Sequence, residues 1–567
     1  KRIGEEQKGA RWRVLLIMEE TCMEMTKKMK MAAVGAAAVA VVGGGVFAYT
    51  RLAGGDPKET VIQAFENVYT EGQTDPMEEL FGLSEFAKAG VSASQNSGLM
   101  LKLDSCSEPA VNTYAGSGLR IDAKNDVENN KVSANMGIIY NGMDLVNLDL
   151  YYGDDTVMAA VPELSPKVFT LDFGEGLEER LKNSPMLGAA LEQSGVDASV
   201  MAEYMELLAE QARQTQEGQA ASFDLKALMK RYREGCKAED DFKAALTVEK
   251  GEKASFTIDG KEQACRGYEV TVSKEAMINF LRTSSDFFLQ DEVLKKDFLK
   301  RLELSVKLSQ LAGAQMEGQD FPTAQEMQEQ TYEEARTEID GMIAFLDSSL
   351  NDVSMTVYVD KEGCLASVKG TTSFNSTGSE AEPVQLQFGC ELKGGAYPTQ
   401  NMSAQAVLEN GAASVQIEAV KEGAYDGKEL TSGFELSIEN QGEIAEKWDI
   451  TLDSSYNSEG GGFDVQAAAA QDGMELLGFS AQGVVDELEK GKNIHLTLDS
   501  LDVSAMGDTG NAVLSGEYYI RPLTEEVVPL EGDTMDVLAA GEEEWNSVLM
   551  EVLFSFISLS GQMDTGN

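Results

Sequence analysis

Histidine is almost missing from this 567-residue chain, His495 being the only one. A single histidine cannot build a His-based zinc site, and no second imidazole is present to serve as an activating base elsewhere. His495 lies in the alternating run Ile494–Leu498 on its polar side, beside Thr497 and Asp499, and reads as an ordinary surface residue. Basic residues are also scarce: 46 Lys and Arg face 96 Asp and Glu, a net charge of −50 that repels any polyphosphate and excludes nucleic acid as a partner. Cysteine is sparse and never in CxxC spacing, and the five beyond residue 50 (Cys106, Cys236, Cys265, Cys364, Cys390) are an odd number, against a full disulfide framework. P-loop, GxSxG and HExxH motifs are absent. The glycine clusters Gly43–Gly45 and Gly460–Gly462 read as membrane packing and a loop.

Carboxylates are so frequent that any two can be paired on paper, as in Asp122, Asp126 and Glu128 or Asp154 and Asp155. Neither group completes the spacing of a calcium loop, and both read as solvated hairpin tips. No catalytic, cofactor-binding or metal-ligating residue is assigned. The chain is not expected to be an enzyme or to carry a cofactor.

What the chain does have is one long uncharged run. Met31 to Thr50 (MAAVGAAAVAVVGGGVFAYT) follows Lys27, Lys28 and Lys30 directly. Twenty residues at about 1.5 Å rise match a bilayer core of about 30 Å, and the lysines orient the remainder outward. A transmembrane anchor over 31–50 is the favoured reading, and a signal peptide cleaved after Ala48 is the rival, with Val46-Phe47-Ala48 meeting the small-residue rule. Leu52-Ala53-Gly54-Gly55 lacks the acylated Cys of a lipobox, which argues against a lipid anchor. Met25 would make a normal start for an exported protein, so residues 1–24 are expected to carry no function. Up to Arg51 the chain holds 9 basic and 5 acidic residues, and beyond it 37 and 91, so charge changes sign across the anchor. Hydrophobic residues make up 43% of the chain, enough for the acidic portion to bury a core, which makes its charge a solvated surface.

Periodicity divides the exported portion. Asp56-Pro57-Lys58-Glu59 and Asp75-Pro76-Met77-Glu78 each open a helix, the second expected to run to about Gly90. From Leu99 to Phe173 apolar residues alternate, as in Leu99, Leu101 and Leu103, and predict a meander of five or six strands. Helical spacing returns at Leu177–Leu191, Ala198–Arg213 and Leu225–Glu234. A hairpin over Ala244–Val272 turns at Asp259-Gly260, and helices resume at Lys274–Leu289, Asp291–Leu311 and Thr323–Leu346. After residue 351 strict alternation recurs strand after strand, for example Val415, Ile417 and Ala419 or Phe434, Leu436 and Ile438, predicting a long antiparallel sheet wetted on one side. Trp545 to Leu559 is apolar on every face and is expected to dock on the sheet and fill any groove there. Cys364 and Cys390 read as small core residues, and Cys236 with Cys265 as the most plausible disulfide pair.

Three stretches, YYGDDTVMAAVPEL (151–164), IDGKEQACRGYEVTVSKEA (258–276) and VYVDKEGCLASVKG (357–370), share a strand, turn and strand rhythm. In this rhythm the chain resembles membrane-anchored, uncharacterised-domain extracytoplasmic proteins of Gram-positive anaerobe type. More loosely it is similar to LolA-type lipoprotein-carrier half-barrels. The reading is therefore an α+β protein: a large curved antiparallel sheet, a half-barrel-like meander, with packed helices and one N-terminal transmembrane helix. Its expected parts are a basic cytoplasmic tail (1–30), the anchor (31–50), a mixed helix and strand region outside the membrane (51–350) and a β meander with a terminal helix (351–567). The expected function is a structural or interaction module of the bacterial cell envelope, with the membrane as partner through 31–50 and a lipid or envelope protein as ligand. The resemblance implies an alternative, a lipid or lipoprotein carrier using the concave face of the sheet. An envelope enzyme built on paired carboxylates ranks third.

Overall fold

The computed structural model describes residues 56–69, 75–194, 197–216, 225–313, 322–375, 383–411, 413–442, 445–505 and 510–565. The anchor read at residues 31–50 lies outside these. Among the described residues no helix is long and apolar enough to cross a membrane.

Alternation of apolar and polar residues produces an α+β fold, dominated by one open, curved sheet of twenty strands. The first six strands are β1 (Gln95–Cys106), β2 (Gly118–Asp126), β3 (Lys131–Tyr140), β4 (Met143–Gly153), β5 (Thr156–Ala160) and β6 (Lys167–Asp172). The hairpin β7 (Thr247–Ile258) and β8 (Lys261–Val272) turns on Asp259 and Gly260, both with positive φ. Beyond it lie β9 (Val353–Val359), β10 (Leu365–Phe374), β11 (Val384–Gly394), β12 (Asn401–Asn410), β13 (Ala413–Tyr425) and β14 (Glu429–Gln441). Then come β15 (Ala445–Asn457), β16 (Gly462–Gln471), β17 (Met474–Glu489), β18 (Asn493–Ala505), β19 (Gly510–Pro522) and the short β20 (Asp533–Asp536).

Strands β7 to β19 pair in sequence order. Then β19 pairs with β1, which carries β2 to β6 onward, and β20 adds in parallel to β6. Every other pairing is antiparallel. The sheet crosses residue 351 without a break, because β8 pairs with β9 along Arg266 to Val272.

The helices gather at the two ends of this sheet. At one end α1 (Pro57–Tyr69) contributes Val61, Ala64 and Phe65. Beside it pack α9 (Ala238–Ala245), α10 (Lys274–Gln290) and α12 (Ala324–Ser349), whose Phe242, Met277, Ile278, Ile343 and Leu346 cover Val270, Met355, Val357, Val368 and Leu386 of β8 to β11. At the other end α5 (Leu177–Asn183), with α6 (Leu187–Ser194) behind it, and α7 (Ala198–Gln216) build a second small core around Leu177, Leu181 and Leu538. Helix α13 (Glu542–Thr565) adds Trp545, stacked on Phe169 of β6 at 5.9 Å, and Val548 against Met535. Helices α2 (Pro76–Phe81) and α3 (Leu83–Ser92) are split by Gly82, whose φ of 64° ends the first helix. The single helix expected from Pro76 to about Gly90 is thus two. Helix α4 (Pro109–Asn112) is a single turn after β1.

A bidentate charge pair ties part of the helical layer together. Arg231 of α8 (Leu225–Gly235) sends Nε and Nη2 to the two carboxylate oxygens of Asp291 at 2.8 and 2.9 Å. Asp291 also caps α11 (Glu292–Gly313) by accepting the Leu294 N–H at 2.7 Å. The guanidinium, reinforced by that cap against the opposing effect of burial, holds the Asp291 carboxyl below the usual carboxylate range. A depressed carboxylate contributes stability above its unfolded pKa, near 3.9, and loses that contribution as pH falls through the lower folded value. Asp291→Asn is therefore expected to cost about 2 kcal/mol near pH 7 in urea unfolding, since it removes the bidentate carboxylate from a partly buried guanidinium. The difference from wild type should shrink below about pH 4, and an unchanged gap at low pH would mean that the pair is not the source.

Candidate functional site

Register fixes which side chains share a face. Starting from Leu436 on β14, one line crosses the sheet through Ile450, Ala469 and Leu477. The next line runs Phe434, Leu452, Ala467, Phe479 and Val503. Further along the same face come Leu501 and Leu514, then Leu99, Ile121, Met136 and Leu148. Because side chains alternate with period two, the residues between these point the other way. That opposite face is polar: Glu418, Ser437, Asp449, Gln466, Ser480 and Asp502 occur on it.

The helices cover this apolar face only at the ends. Between the groups on β8–β11 and on β6/β20 it meets solvent: Ile450 is 40% exposed, Leu452 44%, Phe479 42% and Ile138 51%. The sheet was expected to be wetted on one side, whereas over its middle strands it is a single layer wetted on both. A monomeric surface rarely leaves so large a contiguous apolar area open without a use for it. Along the strand ends of β13–β18 a low rim is formed by α2, where Leu80 and Phe81 pack on Tyr456, Phe463, Val485 and Leu496, the Phe81 and Tyr456 rings 4.6 Å apart. The two helical groups meet where α7 packs on α11, Lys307 paired with Glu203, and with the rim on one side they border the face as a trough.

The terminal helix does not fill it. Trp545, Val548 and Val552 dock at the β6/β20 end, while Leu549, Leu553, Phe554 and Phe556 remain exposed, Phe554 by 64%. The expectation that α13 would occlude a groove is corrected here. Its docking stripe is one face wide.

One charge sits among the apolar positions of β13. Val415, Ile417 and Ala419 alternate inward and Lys421 takes the next inward place, between Met402 and Phe434. Its ammonium lies 5.2 Å from the centre of the Tyr397 ring, and among the described residues it has no carboxylate in ion-pair range. Sequence reasoning passed over Lys421, although a Lys interrupting an apolar alternation was a readable signal.

The polar face carries the groups that sequence reading singled out. The Nδ1 and Nε2 of His495 lie 3.6 Å from Asp486 and from Glu517. Thr497 donates to Asp486 at 2.6 Å, and Tyr519 donates to Asp122 at 2.6 Å beneath the Arg521 guanidinium. Burial, then the bond to Asp122, pushes the Tyr519 hydroxyl up to about 12, so it stays a donor. Arg120 continues the row to Asp144 at 3.0 Å and Asn147 at 3.1 Å. This cross-strand ladder joins β17, β18, β19, β2 and β4, the Tyr519 ring crossing over Gly98 of β1. Its hydroxyls, those of Thr497 and Tyr519, are both donated to carboxylates.

The structure brings the acidic groups Asp122/Asp126/Glu128 and Asp154/Asp155 to no common cleft: Asp122 belongs to the ladder, Asp126 caps a turn by accepting from Asn129, and Asp154 and Asp155 form the β4–β5 turn. Among the described residues no group of His, Cys, Asp and Glu could hold a metal ion. The five described cysteines are free thiols, so Cys236 and Cys265 do not form the suggested pair. Cys265 is buried, Cys390 half-buried, and Cys364 is exposed at the entry to β10, not a core residue as its neighbours Ala366 and Val368 had suggested. No family model, curated protein or solved structure matches the chain.

Proposed function

We propose that this chain is a non-catalytic, extracytoplasmic binding protein of the cell envelope, tethered through residues 31–50, whose open trough takes up acyl chains. The observation that carries the reading is the uncovered apolar face between the two helical groups. Acyl chains suit it because they ask for area and no hydrogen bonds, at about 0.8 kcal/mol for each methylene removed from water. The acidic opposite face keeps such a protein soluble and turned away from polyanions. Of the three readings open at the level of sequence, this favours the lipid carrier over a purely structural module. A half-barrel whose inner face carries the chain is the form the reading takes.

The test is direct titration of the purified full chain with cis-parinaric acid, whose fluorescence rises on leaving water. Saturable binding at micromolar concentration or below, together with lipid recovered by solvent extraction and identified by mass spectrometry, is the expected result. A chain that carries no lipid and leaves the probe dark would return the structural module to first place.

A further inference from the structure

We propose that Lys421 receives the carboxylate of a long-chain fatty acid whose tail lies along the line Phe434, Leu452, Ala467, Phe479 and Val503. The inference rests on the acyl-binding reading above and adds the ligand's charge, direction and length. These five residues and Lys421 form one continuous register line, each directly opposite the next across β13, β14, β15, β16, β17 and β18. Ala467 stands between the larger Leu452 and Phe479, so the line dips at its middle strand. From β13 to β18 is five strand spacings, about 24 Å at about 4.8 Å each. One leaflet of a bilayer core about 30 Å thick holds its chains in about 15 Å. The line is long enough for a whole extended chain, with the acid group at one end.

The charge argument is independent of the length. Lys421 is half-buried on this open face, and an ammonium there loses its remaining hydration once a ligand covers it, so the covering ligand must supply a partner. In a chain with 96 acidic and 46 basic residues, carboxylates are abundant, yet Lys421 has none in ion-pair range among the described residues and rests against the Tyr397 ring. Other lysines near this end are paired with acids on the opposite face, as Lys369 with Glu391 and Lys393 with Glu422. A cation held over an aromatic ring keeps its donors directed outward for an anion. A single positive charge at the head of one apolar line matches a single-chain acid.

The experiment compares cis-parinaric acid with its methyl ester on the full chain, in wild type, Lys421→Met and Lys421→Arg. Wild type should bind the acid about tenfold more tightly than the ester. Lys421→Met should lower acid affinity to that of the ester and leave the ester unchanged, while Lys421→Arg keeps most of the preference. Equal binding of acid and ester by wild type, unaffected by Lys421→Met, would overturn the inference and leave the acyl reading standing. If neither probe binds, both fail. Displacement of the acid by phosphatidylglycerol at lower concentration than by palmitate would overturn the assignment to a fatty acid in favour of a double-chained lipid.

Discussion

Leu452→Asp and Phe479→Asp are each expected to weaken cis-parinaric acid binding at least a hundredfold while leaving the fold intact. Both side chains lie mid-trough on one register line, on either side of Ala467, and both are more than two-fifths exposed in the free protein. Replacing either with a carboxylate therefore costs little folding energy, since an exposed site keeps the new charge hydrated. Binding is different, because an alkyl chain laid over the new charge would strip its water, at a cost of several kcal/mol by general desolvation magnitudes. Thr451→Asp is the matched control: the same charge is added one residue away, on the polar face opposite Glu435, where a like-charge pair costs under about 1 kcal/mol. Circular dichroism melts should keep all three variants near wild type. Retention of wild-type affinity by both trough variants would place the ligand elsewhere.

Strands, helices and turns were legible because each carries its own local signature. Val415, Ile417 and Ala419 announce period two within one strand, and Thr323 with Glu326 announces the start of α12 by a capping box that the structure contains. Which face would be left open was not legible. Leu436 on the trough and Val357 in the core have the same sequence texture, and they differ only in whether α10 and α12 reach them. The fate of α13 was half legible: its apolar faces declared that it must dock, but nothing in Trp545 to Leu559 states that β6 and β20 accept only one of them. Lys421 was missed because a charge is ordinarily assigned to the wet face, and here the register places it on the other. The seam between β1 and β19 was invisible for a further reason. It joins Leu101 to Gly516, more than four hundred positions apart, and no local pattern reports a partner at that distance.

That seam is where the largest loss of stability is expected. Gly516 lies opposite Leu101 on one side and Leu498 on the other, and a Cβ placed there would stand 2.0 Å from the Met100 carbonyl oxygen. Gly118 on β2 repeats the arrangement from the far side of β1, its Cβ position 2.1 Å from the Leu101 carbonyl oxygen. Backbone this close to backbone cannot be relieved by turning a side chain, and glycine in a strand interior commonly marks such an approach. Gly516→Val is expected to cost about 4 kcal/mol or more, in the range reserved for severe backbone clashes. The seam is the join within the sheet between the strands β7–β19 and the strands β1–β6 with α13, which are otherwise tied through α7 and α11, so its loss should loosen the coupling of their unfolding. Trp448 on β15 and Trp545 on α13 report the two sides separately. In Trp12→Phe backgrounds that retain one or the other, fluorescence during urea unfolding should give coincident transitions for the parent chain. With Gly516→Val, two separated transitions are expected. Gly460→Ala, at a position with nothing within 4 Å, is the control and should leave the midpoint unchanged. Coincident transitions at the parent midpoint in Gly516→Val, or transitions already separate in the parent, would show that β1 and β19 do not couple the two halves of the sheet.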